Sequence, residues 1–155
     1  MTAAVQPAVA DARPPATVVR LTNMIVRPLL RSPAGRMMKP LAIITFTGRR
    51  TGSVRRVVVG WHPHEPGAIV LSPASWRANF EAGHPATVRW SGHTRTYTGT
   101  LETDPHIVAD AVNSLLAAGV SPRGLALRIS DGHIIDADDI TTTHRALIRF
   151  EPTPD

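Results

Sequence analysis

The chain has 155 residues, 43% hydrophobic and 19% charged, which is the balance of an ordinary globular domain and not of a disordered protein. No apolar run approaches the roughly 18–20 residues of a membrane-spanning helix. The absence of cysteine excludes disulfides, thiol nucleophiles and cysteine-ligated zinc or iron–sulfur sites. Because the N-terminal stretch lacks the apolar core of a secretory signal, we expect a cytoplasmic protein.

Charge is unevenly distributed along the chain. Residues 1–100 hold 13 basic and 3 acidic residues, whereas residues 101–155 hold 4 and 9. Sixteen of the basic residues are arginine, and Lys39 is the single lysine. A basic half of this kind predicts an anionic partner, namely a phosphorylated cofactor, a nucleic acid or an acidic lipid surface.

The N-terminal residues 1–16 are rich in alanine and proline and predict a disordered tail, which leaves 17–155 as a single domain. The following segment, 17–31, predicts a basic amphipathic helix packed on the core, with peripheral membrane contact as the alternative. Its apolar residues recur every three or four positions: Val18, Leu21, Ile25 and Leu29.

The middle of the chain predicts antiparallel strands. The β-branched runs at 41–47 and 55–61 flank the turn GRRTGS, and a third strand is expected at 68–71. A short helical turn is expected at 76–81, with Ser72 or Ser75 as its N-cap. Two further strands, at 86–90 and 94–102, complete the series.

The C-terminal third predicts a helix and a closing strand. Asp104 and Pro105 are typical of a helix start, and Gly119 of a helix end. Residues 121–140 show no clear periodicity, and 145–150 predicts a strand. The order of elements predicts an α+β domain whose sheet curls into a small barrel.

Several catalytic motifs are missing from the sequence. It contains no G-x-S-x-G, H-E-x-x-H, P-loop or G-x-G-x-x-G pattern. His62-Pro-His64 is followed by Glu65, but the segment His-Pro-His-Glu-Pro-Gly is typical of a solvated turn, so we expect no metal site.

The segment 47–56, TGRRTGSVRR, carries the densest chemistry of the chain. Four arginines within eight positions are interleaved with glycines and hydroxyl residues, a composition suited to phosphate or carboxylate groups. A solvated basic hairpin is the alternative interpretation. Nucleic acid is disfavoured, because the aromatic content of 5% provides few surfaces for base stacking.

A second constellation is Trp76-Arg-Ala-Asn79-Phe80. Residues three apart in a helical turn share one face, so this indole and amide could bind a planar heterocycle. Alternatively, Trp76 plugs the mouth of the barrel and Asn79 caps a nearby backbone group.

Taken together, these elements resemble the deazaflavin-dependent nitroreductase-like family. The similarity rests on the T-G-R-R-T-G-x-x-R signature ending at Arg55, the later W-x-x-N-F, the strand at 86–89 and the order of the elements. It covers about 85% of the chain.

This resemblance implies a split β-barrel related to flavin-binding oxidoreductases, with the deazaflavin coenzyme F420 as cofactor and FMN as the alternative. It implies that the first hairpin binds the phosphate and polyglutamate tail, that the strand after the hairpin loop lines the ring, and that the loop before Trp76 closes the pocket. By position these cofactor-binding residues are Arg49, Arg50, Thr51, Gly52, Arg55, Val58, Gly60, Ser72, Ser75, Trp76 and Asn79.

The chain also departs from the family pattern. Val58 stands where a proline is common, the loop before Trp76 is short, and Tyr97 is the single tyrosine. The resemblance therefore supports the cofactor-binding residues of this chain better than it supports a particular substrate. The resemblance implies an F420-dependent oxidoreductase that passes a hydride to a small unsaturated, quinone-like or nitro acceptor, as a monomer or homodimer. A non-catalytic flavin, deazaflavin or lipid-like ligand carrier is the alternative.

Overall fold

The computed structural model describes residues 7–12 and 40–154. In this part of the chain the strands are β1 Val9–Asp11, β2 Leu41–Thr47, β3 Val54–Gly60, β4 His62–His64, β5 Gly67–Ser72, β6 His84–Trp90, β7 His93–Glu102, β8 Leu127–Ile129 and β9 Ala146–Pro152. The helices are α1 Pro105–Ala117 and α2 Ala137–Thr142. Two short 3-10 helices, Ser75–Phe80 and Pro122–Leu125, lie in the connections.

Seven strands form one antiparallel sheet in the order β3-β2-β6-β7-β9-β5-β4. The sheet curls so that β3, at one edge, approaches β5 near the other edge. β1 and β8 form a separate antiparallel ribbon. The α+β class and the split-barrel architecture expected from the sequence are therefore confirmed.

Two hydrophobic clusters lie on opposite faces of the sheet. Strand residues alternate between faces, and the alternate apolar residues of β2 (Ala42, Ile44 and Phe46) enter the barrel interior. The other cluster lies between α1, α2 and the far face of β5 and β9, where Ile69 and Leu147 are buried. The described helices α1 and α2 therefore cover the side of the barrel formed by β5 and β9.

The outer face of β3, β2, β6 and β7 has a different composition. The outer face consists of the strand residues that alternate with the interior ones. Across the four strands it includes a row of directly paired residues: Arg56, Thr45, Thr87 and Thr96. Thr87 and Thr96 are exposed, and Thr45 is half-buried. This face therefore carries hydroxyl and cationic groups, whereas the outer face of β5 and β9 is apolar and covered by helices.

The predicted strands agree with the observed ones to within about two residues. Asp104 caps α1 by accepting the N–H of His106 at 2.9 Å, and Gly119, at φ +96°, follows the helix end as expected. The caps predicted for the short turn differ, because Ala74 is the N-cap residue of the Ser75–Phe80 turn and no side chain caps it.

Three elements differ from the sequence-based expectation. Within the predicted tail, residues 9–11 form a strand because Val9 is buried against the helical cluster and the backbone pairs with β8. His62 lies in β4 and is buried, not solvated in a turn, because it packs beside the Pro122–Leu125 turn. In the unassigned stretch 121–140, α2 begins with a reciprocal capping box between Asp136 and Asp139.

The predicted amphipathic helix at 17–31 and the rest of the predicted tail lie outside the described residues. Among the helices that are described, none has the length and apolarity to cross a bilayer.

Candidate functional site

The loop between β2 and β3 is a compact turn closed by its own backbone. Gly48 donates to the Ser53 carbonyl and Gly52 donates to the Gly48 carbonyl, both at 2.8 Å. Gly52 has φ +66°, a left-handed conformation that side chains disfavour. The hydroxyls of Thr51 and Ser53 lie 2.6 Å apart. The turn therefore presents a fixed pair of hydroxyl groups next to Arg50.

The four arginines of this hairpin have different surroundings. Arg49 pairs with Glu81 at 3.0 Å. Arg50 and Arg55 are exposed and make no ion pair or hydrogen bond with any described side chain. Arg56 lies on the outer face, opposite Thr45. Two guanidinium groups are thus presented to an anion without a carboxylate to neutralise them.

The hairpin loop is joined to the Ser75–Phe80 turn by Asn79. The Asn79 Oδ1 accepts the backbone N–H of Arg49 at 2.9 Å, and its Nδ2 donates to the Trp76 carbonyl at 2.7 Å. A third contact links His84 Nε2 to the Thr47 carbonyl at 2.7 Å. The structure therefore brings together the two constellations that the sequence singled out separately.

Trp76 packs on the interior side of the sheet. Its ring centroid lies 6.0 Å from those of both Phe46 and Phe80. Phe80 is fully buried and contacts Phe46 and Phe150 edge-on. These contacts match the alternative in which the indole plugs the mouth of the barrel.

The predicted site residues on β3 do not share one face. Arg55 is paired with the interior-facing Phe46, whereas Val58 is paired with Ile43 on the outer face. Gly60 lies at the far end of β3, where an added Cβ would come 3.1 Å from the Gly124 carbonyl and 3.1 Å from His62 Nε2. Gly60 is therefore covered by the Pro122–Leu125 turn and is remote from the hairpin loop.

The two serines serve the backbone around the short turn. Ser72 is buried, and its hydroxyl accepts the N–H of Ala74 at 3.1 Å. Its carbonyl accepts a bond from Arg77 Nη1 at 2.9 Å. Ser75 begins the turn and is exposed. Together with Trp76 and Asn79, these residues lie on the side of the sheet opposite Val58.

A shallow cleft of about 200 Å³ opens beside the hairpin on the outer face. Its walls combine hydroxyl groups with apolar surface and contain no charged side chain: Thr45, Phe46, Thr47, Val54, Pro85, Ala86, Thr87 and Thr96. The sequence analysis missed this cleft. The signal was present as threonines at alternate positions, but only strand pairing places them side by side.

Two groups that could transfer a proton lie at the hairpin and are engaged there, Glu81 by Arg49 and His84 by the Thr47 carbonyl. Tyr97 packs edge-on against Trp61, with ring centroids 5.3 Å apart. The described residues contain no cluster of three potential metal ligands. The pKa of His62 is lowered by burial, which outweighs its hydrogen bond with the Gly124 backbone. This histidine lies at the Gly60 end of β3, away from the loop.

No protein-family model matches the chain, and no curated protein is similar to it. Several solved structures match the chain, among them the following three. HutZ, a heme storage protein from Vibrio cholerae, has a TM-score of 0.47 and 12% identity, over 77% of this chain and 86% of that one. An F420-H2 dependent reductase, FDR-A, has a TM-score of 0.44 and 16% identity, over 72% and 95%. A domain-swapped dimer has a TM-score of 0.45 and 16% identity, over 88% and 100%.

Proposed function

We propose that this protein binds a phosphorylated deazaflavin of the F420 type and uses it as an oxidoreductase. The observation that carries the proposal is the pair of exposed, unneutralised guanidinium groups of Arg50 and Arg55 on a loop that hydrogen bonds hold in place. The T-G-R-R-T-G-x-x-R resemblance points to the same loop independently.

The anionic part of the ligand is assigned to the hairpin loop. Arginine provides two parallel donors to a phosphate or carboxylate, and neighbouring hydroxyls add further donors. Among the described residues, the N–H groups of Arg50 and Thr51 have no acceptor, whereas those of Gly48, Arg49, Gly52 and Ser53 do. The loop therefore suits a ligand in which several carboxylates are attached to a phosphate. Arg50 and Arg55 would bind these anionic groups, while Arg49 stays paired with Glu81.

The flat ring of the ligand is assigned to the outer-face cleft. Threonine hydroxyls there can bond to the edge of a heterocycle, and Val54 and Pro85 offer apolar contact to its faces. The cleft is smaller than the roughly 300–1,000 Å³ of typical small-molecule pockets, so a ligand filling it extends over the hairpin. Val58 lies on the same face and continues this surface along β3.

A reduced deazaflavin supplies a hydride to an unsaturated acceptor, and this chemistry belongs to the cofactor. The chain's own residues bind and orient: the arginines hold the anion and the cleft holds the ring. Because Tyr97 is packed against Trp61, we assign the proton that completes the reduction to solvent.

The test is titration of the purified protein with F420 and, separately, with FMN, followed by fluorescence. Micromolar F420 binding with weak FMN binding is the expected result. Tight FMN binding would keep a flavin-type site but replace the cofactor, and binding of neither would overturn the proposal. Turnover is then measured with reduced F420 and a panel of quinone, nitro and enone acceptors.

A second candidate function is that of a non-catalytic carrier of the same ligand. The observation in its favour is that the acid–base groups beside the hairpin are engaged by the protein itself: Glu81 pairs with Arg49 at 3.0 Å, and His84 Nε2 lies 2.7 Å from the Thr47 carbonyl. F420 binding without oxidation of reduced F420 across the whole acceptor panel would favour the carrier.

A further inference from the structure

The amide of Asn79 is committed to protein backbone at both ends. It accepts from Arg49 at 2.9 Å and donates to Trp76 at 2.7 Å, two residues that belong to different elements. The bond to Arg49 spans 30 residues of sequence and fixes the first arginine of the hairpin loop. An amide engaged in this way is poorly placed to bind the edge of a ligand ring as well.

The turn that carries Asn79 is itself fixed from the opposite side by Arg77. The Arg77 Nη1 donates to the carbonyls of Ser72 and His144, at 2.9 and 2.7 Å. His144 precedes β9 and Ser72 ends β5, so the turn is attached to the helix-covered half of the barrel. Phe80 anchors it further in the interior.

We propose that Asn79 is a positioning residue that presets the anion-binding loop by fixing the Arg49 backbone to the turn held by Arg77. This inference rests on the proposed function and deepens it, because it reassigns Asn79 from the ligand to the loop. The N–H groups of Arg50 and Thr51, which have no acceptor among the described residues, directly follow the Arg49 N–H that Asn79 holds. Without Asn79 the loop must be ordered when the ligand binds, which weakens affinity although no cation is lost.

The test compares Asn79→Ala and Asn79→Asp with the control Asn113→Ala, which removes an amide that likewise bonds only backbone groups, those of Ile135 on the helical side of the barrel. Three quantities are measured: the Kd for F420, the Kd for inorganic pyrophosphate, and the hydrogen-exchange rate of the Arg49 amide. We expect Asn79→Ala to raise both dissociation constants about tenfold and to speed exchange at Arg49 by a similar factor. Asn113→Ala should leave all three unchanged.

Asn79→Asp keeps an oxygen opposite the Arg49 N–H but adds a negative charge near the anion. Exchange at Arg49 should stay slow, and the loss of affinity should shrink as salt is raised from 0.05 to 0.5 M, because salt screens the added charge. The loss of affinity caused by Asn79→Ala should not shrink as salt is raised, because this variant adds no charge. This variant keeps the inference testable if Asn79→Ala fails to fold.

Faster exchange at Arg49 in Asn79→Ala with unchanged dissociation constants would overturn the positioning role. If the wild type binds pyrophosphate but not F420, and Asn79→Ala raises the Kd for pyrophosphate, the proposed function fails while the positioning role stands. If the wild type binds neither probe, both are overturned.

Discussion

The guanidinium of Arg145 meets the carboxylate of Asp11 at 3.0 Å and joins two residues 134 positions apart. The Arg145 side chain is 1% exposed, and its Nη2 also donates to the Ala126 carbonyl at 2.8 Å. Since β1 has three residues and pairs with β8 alone, the ion pair is a principal contact attaching β1 to the helical side of the barrel.

Asp11→Ala should lower the free energy of unfolding by about 2 kcal/mol, because it leaves a buried guanidinium without this carboxylate. The measurement is the midpoint of urea unfolding, with the exposed Asp131→Ala as the control for loss of one carboxylate. An equal midpoint in wild type and Asp11→Ala would show that β1 is held by other contacts.

The double variant Arg50→Ala/Arg55→Ala should weaken F420 binding by about 100-fold or more, since each charge-assisted hydrogen bond contributes about 1.5–3 kcal/mol. The free energy of unfolding should barely change, because neither side chain contacts a described partner. Arg123→Ala/Arg128→Ala removes the same charge from another exposed region and should retain binding. Unchanged affinity in Arg50→Ala/Arg55→Ala would support the alternative interpretation, in which the hairpin is solvated and binds no anion.

Trp76→Ala should act on stability more than on binding. Because the indole packs on Phe46 and Phe80, its removal should cost about 2–3 kcal/mol of unfolding free energy, somewhat less than for a fully buried tryptophan. The F420 dissociation constant, measured well below the melting temperature, should change by less than about threefold. A large loss of affinity with an unchanged melting temperature would instead show that Trp76 walls the ring.

Stability should fall as the pH is lowered below the ordinary histidine pKa, about 6.5. Burial holds the pKa of His62 below that value in the folded state, so the unfolded chain takes up the proton first as the pH falls. The resulting slope is at most about 1.4 kcal/mol per pH unit, and it ends once the pH is below the folded pKa.

His62→Gln should flatten this part of the profile, measured by urea unfolding between pH 5 and 8. His64→Gln, two residues away at an exposed position, should leave it unaltered. A His62→Gln profile with the wild-type slope would assign the pH dependence to other groups.

Gly60→Ala should destabilise the fold by about 1–3 kcal/mol, because the added methyl would press on the backbone carbonyl of Gly124. Gly124→Ala is the matched control, since its Cβ would meet ordinary contacts at 3.5 Å or more. If Gly60→Ala were as stable as the control but bound F420 poorly, Gly60 would belong to the ligand site.

Local patterns in the sequence account for most of the elements. Alternating β-branched residues predicted β2 and β3, and Asp104 with Pro105 located the start of α1, because such signals depend on neighbouring residues alone. The short strands β1, β4 and β8 were not predicted. Three residues carry too little periodicity to predict a strand. β1 and β8 form because they pair with each other from opposite ends of the chain, and β4 forms by pairing with the adjacent β5.

The features of the candidate site likewise fall into those that the local sequence predicts and those that depend on distant contacts. The sequence by itself determined that a glycine-flanked loop carries four arginines and that an indole and an amide lie together in a later turn. Only the tertiary structure decided that Asn79 contacts Arg49 and that Glu81 pairs with that same arginine. Composition and spacing set which groups are available, whereas pairing across 30 or more residues sets which of them are neutralised and which remain for a ligand.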